Sequence, residues 1–142
     1  MDVSTTALAI ATRNAGIQHT PVRFLHQDVL SPDASQVLPS LNIIVSNPPY
    51  IRESERAGMQ QQVEAFEPGI ALFVPDNDAL LFYRRIAALA KEKLEPGGKL
   101  YFEINEALGK EVVALLVKEG FGDVQLKQDM FGKDRMVRGQ KK

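Results

Sequence analysis

A chain of 142 residues is about one domain, large enough for a core and too short for two. Seventeen basic side chains against eighteen acidic ones leave a formal charge of −1, which tilts against bulk binding of nucleic-acid phosphates. There is no cysteine, so a disulfide framework and thiolate metal ligands are excluded. No apolar run approaches membrane-spanning length, and Met1-Asp2-Val3-Ser4 has no basic n-region, so a cytoplasmic location is expected.

Ser4 to Ala15 reads as a helix with Ser4 as N-cap, Ala7, Leu8, Ala11 and Ala15 on one face, and Gly16 as its stop. Val22 to Val29 alternates apolar and polar residues and predicts a strand ending at Asp28. A loop with at most one helical turn follows, and then Leu41 to Ser46, short and β-branched, reads as a fully buried strand. The long segment Ile51 to Asp78 is irregular, as binding flaps after strand ends are. A helix is expected from Asp78, with Leu81, Ile86, Leu89 and Leu94 apolar, ended by Pro96-Gly97-Gly98. Lys99 to Ile104 is the next strand, Glu106 to Gly120 the next helix, and the chain closes as a hairpin turning near Gly132. This order is that of an α/β sheet with an antiparallel last strand.

Asn47-Pro48-Pro49-Tyr50 interrupts this pattern at the end of a strand. Two prolines leave the ladder, and Asn47 before Pro48 is biased to extended backbone. A stiff loop carrying an amide and a phenol is thereby placed where α/β sheets bind ligands. The bland alternative is a rigid turn. A phosphotyrosine-type Asn-Pro-x-Tyr peptide is disfavoured by the apolar strand leading into it. On pattern alone Asp2 is equally a helix N-terminal acid, Asp28 a strand-end turn residue, and Glu103 a structural strand residue. Phe82 and Tyr83 read as packing residues, and His19 and His26 have no partner at metal-ligand spacing. The basic cluster from Lys133 to Lys142 reads as a solvated tail.

Taken together, Asp2, Ser4, Ala7-Leu8, Asn14-Ala15, Asp28 and Val45 to Ile51 ("VSNPPYI") resemble one family, the release factor glutamine N5-methyltransferases, or HemK/PrmC proteins. Glu67-Pro68, Ala71-Leu72-Phe73, Phe82-Tyr83-Arg84, Ile86, Gly97-Gly98, Glu103-Ile104 and "GKDR" from Gly132 to Arg135 extend the match along the chain. The resemblance implies a partial class I S-adenosylmethionine-dependent, Rossmann-like sheet lacking its first two strands. It also implies that residues 1–142 are the C-terminal portion of a catalytic domain. The family's glycine-rich loop and N-terminal helical domain are expected to be absent. Asn105 and Leu108 depart from the family, which often has glycine and glutamine there.

By that resemblance the cofactor is S-adenosylmethionine, bound by Asp2 on the ribose, Asp28 and Val29 on the adenine, and Asn47. The substrate is the glutamine of a peptide release factor's Gly-Gly-Gln loop. Asn47, Pro48, Pro49 and Tyr50 would clamp it: the Asn47 side-chain oxygen and the Pro48 carbonyl accept its two N–H groups, and Tyr50 packs on the amide. A rival reading keeps the fold and methylates an exocyclic amine of a nucleic-acid base. A third makes the chain an inactive unit that self-associates through exposed strand edges.

Overall fold

The computed structural model describes residues 1–58, 69 and 72–142. The chain divides into two compact units, Met1–Pro39 and Ser40–Lys142.

In the first unit, helix α1 spans Thr5–Ile17. Ser4 caps it as expected: its hydroxyl accepts the Ala7 N–H at 3.1 Å, satisfying a donor that the first turn leaves open. Leu8, Ala11 and Ala15 form the half-buried stripe. Gly16 is not the stop. The helix runs through it, and His19 takes the left-handed conformation at φ 49° instead. The His19 N–H bonds the Gly16 carbonyl and the Thr20 N–H bonds that of Ala15, which is a Schellman closure three residues later than expected.

Val22 to Val29 does not form the expected strand. A ladder needs a neighbour, and among the described residues this segment finds only Asp2. The Asp2 N–H donates to the Leu25 carbonyl at 3.0 Å and its carbonyl accepts from Gln27 at 3.1 Å, a single parallel bridge on His26. Successive turns through Ser31, Asp33 and Ser35 complete the unit and bury Ala34.

The second unit holds β1 (Leu41–Ser46), β2 (Ile51–Arg52), β3 (Phe73–Val74), helix α2 (Leu81–Lys93), β4 (Leu94–Glu103), helix α3 (Gly109–Lys118), β5 (Gly122–Gln128) and β6 (Asp134–Gln140). Its main sheet runs β1-β4-β6-β5. Strands β1 and β4 are parallel, which requires a crossover, and α2 supplies it. Strand β6 is antiparallel to both β4 and β5, as the hairpin reading implied.

Alternation sets the core. Leu100, Phe102 and Ile104 of the β4 segment are buried together with Tyr83, Ile86 and Ala90 of α2, Val112 and Leu116 of α3, and Val137 of β6. Helix α2 packs on β4, and α3 packs on β5 and β6.

Two expectations need correction. Strand β1 is not fully buried: it is the sheet's edge, with Ile43 58% and Val45 75% exposed. Pro96-Gly97-Gly98 does not separate helix from strand either. The helix ends at Lys93, and β4 begins at Leu94 and passes through the Pro-Gly-Gly triplet as an irregularity, its register on β1 jumping from Leu41↔Leu94 to Ile43↔Lys99. Gly97 takes φ 81°, and its N–H bonds the Lys141 carbonyl at 2.9 Å while Lys141 bonds back to Gly98. The extra residues thus stay tied to the sheet.

Of the expected flap, Glu67, Pro68 and Ala71 lie outside the described residues. Its two ends are joined: β2 pairs with β3 through Ile51↔Phe73 and Arg52↔Val74. The Ser54 N–H bonds Asp76 at 2.9 Å, and Arg56 lies over the Phe73 ring at 4.8 Å. Among the described residues, no helix is long and apolar enough to cross a membrane.

Candidate functional site

The Asn47–Tyr50 loop leaves the carboxyl end of β1, where Ser46 pairs with Phe102 of β4. Its neighbour across the sheet is therefore the end of β4, at Glu103. Pro48 is buried, Pro49 and Tyr50 are half-buried, and Asn47 is exposed. The prolines thus anchor the loop while its amide stays open to solvent.

Tyr50 and Glu103 meet there: the phenol donates to Glu103 Oε1 at 3.4 Å. Burial pushes the Tyr50 phenol up, the negative charge of Glu103 pushes it further, and the Arg135 guanidinium opposes both. Tyr83 stands beneath. It is fully buried, its hydroxyl donates to the Glu103 carbonyl at 3.3 Å, and its ring meets Phe102 edge-on at 5.1 Å. Burial pushes its phenol strongly upward. The packing role expected of Tyr83 is the one it has.

Arg135 comes from the start of β6, where its carbonyl accepts the Ile104 N–H at 2.9 Å. Its Nε lies 3.5 Å from Asp129 and its Nη2 3.9 Å from Glu106, which also pairs with Lys133 at 2.9 Å. Asp129 closes the hairpin turn by accepting the Phe131 and Lys133 N–H groups, and Gly132 supplies the left-handed residue at φ 76°. Lys133 and Arg135 are therefore paired side chains of a built turn, where a solvated tail was expected. Asn105, one of the departures from the family, caps the 3-10 turn at Glu106–Leu108 by accepting the Ala107 N–H, and Leu108, the other, is buried.

The remaining expected site residues lie in the first unit. Asp2 is exposed, and its Oδ1 accepts the Ser4 N–H at 2.8 Å. Asp28 is exposed and its Oδ1 accepts the Leu30 N–H at 2.8 Å, the geometry of a turn residue; Val29 is half-buried. The bridge on His26 ties Asp2 to the segment that ends at Asp28. His26 donates its Nε2 to the Val3 carbonyl at 3.0 Å, an ordinary structural use.

No family model matches the chain. It is 50% identical over 136 residues to the release factor glutamine methyltransferase of Bacteroides thetaiotaomicron, covering 96% of this chain and 49% of that protein. Against the enzyme of the same name from Flavobacterium psychrophilum it is 47% identical, covering 97% of this chain and 48% of that one. Its sequence relatives are release factor glutamine methyltransferases. The chain spans about half the length of these relatives.

Solved structures agree on the fold. A methyltransferase from Pyrococcus furiosus superposes with a TM-score of 0.67 at 20% identity, over 98% of this chain and 59% of that one. The N-methyltransferase NodS from Bradyrhizobium japonicum, in complex with S-adenosyl-L-homocysteine, does so at 0.56 and 14%, over 99% and 64%. The mixed four-stranded α/β sheet thus has the fold of these methyltransferases, as the resemblance implied.

The positions of Glu103 and Arg135 were not legible as parts of the site. Their signal is register: Glu103 is the last residue of β4 and pairs with Met136, so Arg135 arrives one residue away on β6.

Proposed function

We propose that this chain is the C-terminal portion of the catalytic domain of a release factor glutamine methyltransferase, which methylates N5 of the glutamine in the Gly-Gly-Gln loop. The observation that carries the reading is an exposed Asn47 amide on a proline-anchored loop at the end of a parallel strand, in a chain whose relatives bear that name.

The residues present fit S-adenosylmethionine in their donor set. Asp2 and Asp28 each commit one carboxylate oxygen to a backbone N–H, which leaves the other to accept from ribose hydroxyls or the adenine amine. Val29 offers an apolar surface to the adenine ring. When bound, S-adenosylmethionine supplies an electrophilic methyl group on a sulfonium.

The chain's own work is positioning. Asn47 Oδ1 and the Pro48 carbonyl accept both N–H groups of the substrate carboxamide, which holds the nitrogen still and favours its pyramidalisation. Pro48 and Pro49 keep these acceptors fixed, so little reorganisation accompanies the reaction. Tyr50 packs on the amide and shields the cation. With S-adenosylmethionine bound, the held nitrogen would take up the methyl group, the carbon–sulfur electron pair would stay with the sulfur, and the amide proton would pass to water.

Calorimetric titration of S-adenosylmethionine into the chain, with folding verified by circular dichroism, tests the cofactor half. One-to-one binding that weakens in Asp2→Asn and Asp28→Asn is the expected result. Labelled methyl transfer tests the substrate half, offered a release factor or RNA. Label in RNA alone overturns the protein-substrate reading in favour of a base amine.

A second property follows from β1. It is an edge strand of six residues with no charge and no proline, and it exposes Ile43 and Val45. Such an edge is a template for another strand. We infer that two copies of this chain associate through it.

A further inference from the structure

The polar end of Tyr50 reaches back from its loop to the sheet. Its hydroxyl meets Glu103 Oε1 at 3.4 Å, and Glu103 ends the strand adjacent to the one the loop leaves. Arg135 precedes Met136, the ladder partner of Glu103, and its positive charge acts on the same phenol. Arg135 is itself held by Asp129 at 3.5 Å and Glu106 at 3.9 Å, both belonging to turns that close the same end of the sheet. Tyr83, the other titratable group facing Tyr50, holds the Glu103 backbone from below.

We propose that Glu103 and Arg135 are positioning residues for the Asn47–Tyr50 loop: the carboxylate accepts from the Tyr50 hydroxyl and the guanidinium, one residue from the ladder partner of Glu103, acts on the same phenol, so the ring and the Asn47 amide keep one orientation. The proposal rests on the reading of that loop as the substrate clamp. The prolines restrict the backbone of the loop but cannot orient the phenol ring. That orientation comes from a carboxylate fixed by the β4–β6 ladder and a guanidinium fixed by the hairpin turn. A group that touches no substrate thereby sets the geometry of the groups that do.

The chain has three tyrosines and no tryptophan, so tyrosine signals are few and separable. In protein labelled at tyrosine Cζ, Tyr50→Phe assigns the Tyr50 resonance, and its titration is followed with pH. Glu103→Gln is expected to move the Tyr50 midpoint to lower pH, because a neighbouring negative charge is removed. Arg135→Met is expected to move it to higher pH, because a positive charge is removed. The Asn47 side-chain amide lines are expected to be broader in both variants than in the unsubstituted chain. A Tyr50 midpoint that neither variant moves, or Asn47 lines unchanged in both, overturns the proposal. If Glu103→Gln unfolds the chain by circular dichroism, Arg135→Met decides alone. None of these readouts uses S-adenosylmethionine, so a failure to bind cofactor would count against the methyltransferase reading and leave this result standing.

Discussion

The Tyr50 hydroxyl and the Glu103 carboxylate join the loop after β1 to the last residue of β4, two segments 53 positions apart in the chain. The parallel pairing of Ser46 with Phe102 makes that junction possible. The loop, held at its two ends by β1 and β2, is thereby also tied to the end of β4. Beneath it, Tyr83 fills the core and bonds the Glu103 backbone.

Alkaline stability follows from the two phenols. Burial lifts Tyr83 and Tyr50 above the ordinary value, while in the unfolded chain both ionise near about pH 10. The unfolded state therefore loses its protons first. The stabilisation is fully present below about pH 10 and is lost as pH rises beyond it toward the folded values. Melting temperatures measured between about pH 8 and pH 11 should fall steeply in the parent chain and less steeply in Tyr83→Phe. At neutral pH that variant should cost about 0.5–1.5 kcal/mol, the net worth of one hydrogen bond.

Gly98 tolerates no side chain. A Cβ there would lie 2.8 Å from the Glu95 carbonyl oxygen and 3.0 Å from that of Asn42, both backbone atoms at the irregularity that joins β4 to β1. Gly98→Ala should destabilise by about 1–3 kcal/mol in urea titration, the usual cost of forced overpacking. An unchanged midpoint would mean that the two strands do not approach there.

Asn47→Ala separates function from stability. The side chain is exposed, so unfolding free energy should change by less than about 0.5 kcal/mol. On the proposed reading, labelled methyl transfer to a release factor should fall about 100-fold or more, as for loss of a preorganised polar group at a reacting centre. Retained transfer would remove Asn47 from the clamp.

The edge strand makes an independent prediction. Val45→Lys places a charge on an exposed edge position and should shift light-scattering mass from dimer toward monomer, with little change in stability. A parent chain that is monomeric at high concentration would refute self-pairing through β1.

Much was legible without coordinates. The Ser4 cap, the α2 and α3 helices, the closing hairpin and the strand entering Asn47-Pro48-Pro49-Tyr50 depend on caps, period and turn residues, which are local. Errors fell where neighbours decide. Val22–Val29 has the alternation of a strand but, among the described residues, pairs only at His26. Gly16 resembles a helix stop, yet the closure forms at His19, because a left-handed cap depends on which carbonyls the next N–H groups reach.

Composition, periodicity and motif determined the α/β class, the element order and the candidate loop, because each is written in residues close along the chain. Only the tertiary structure decided that β1 is a half-exposed edge, that Pro96-Gly97-Gly98 stays in the sheet, and that Glu103 meets Tyr50 with Arg135 close along the neighbouring strand. Those outcomes depend on strand register, and register is set by pairings between segments tens of residues apart, which no local pattern encodes.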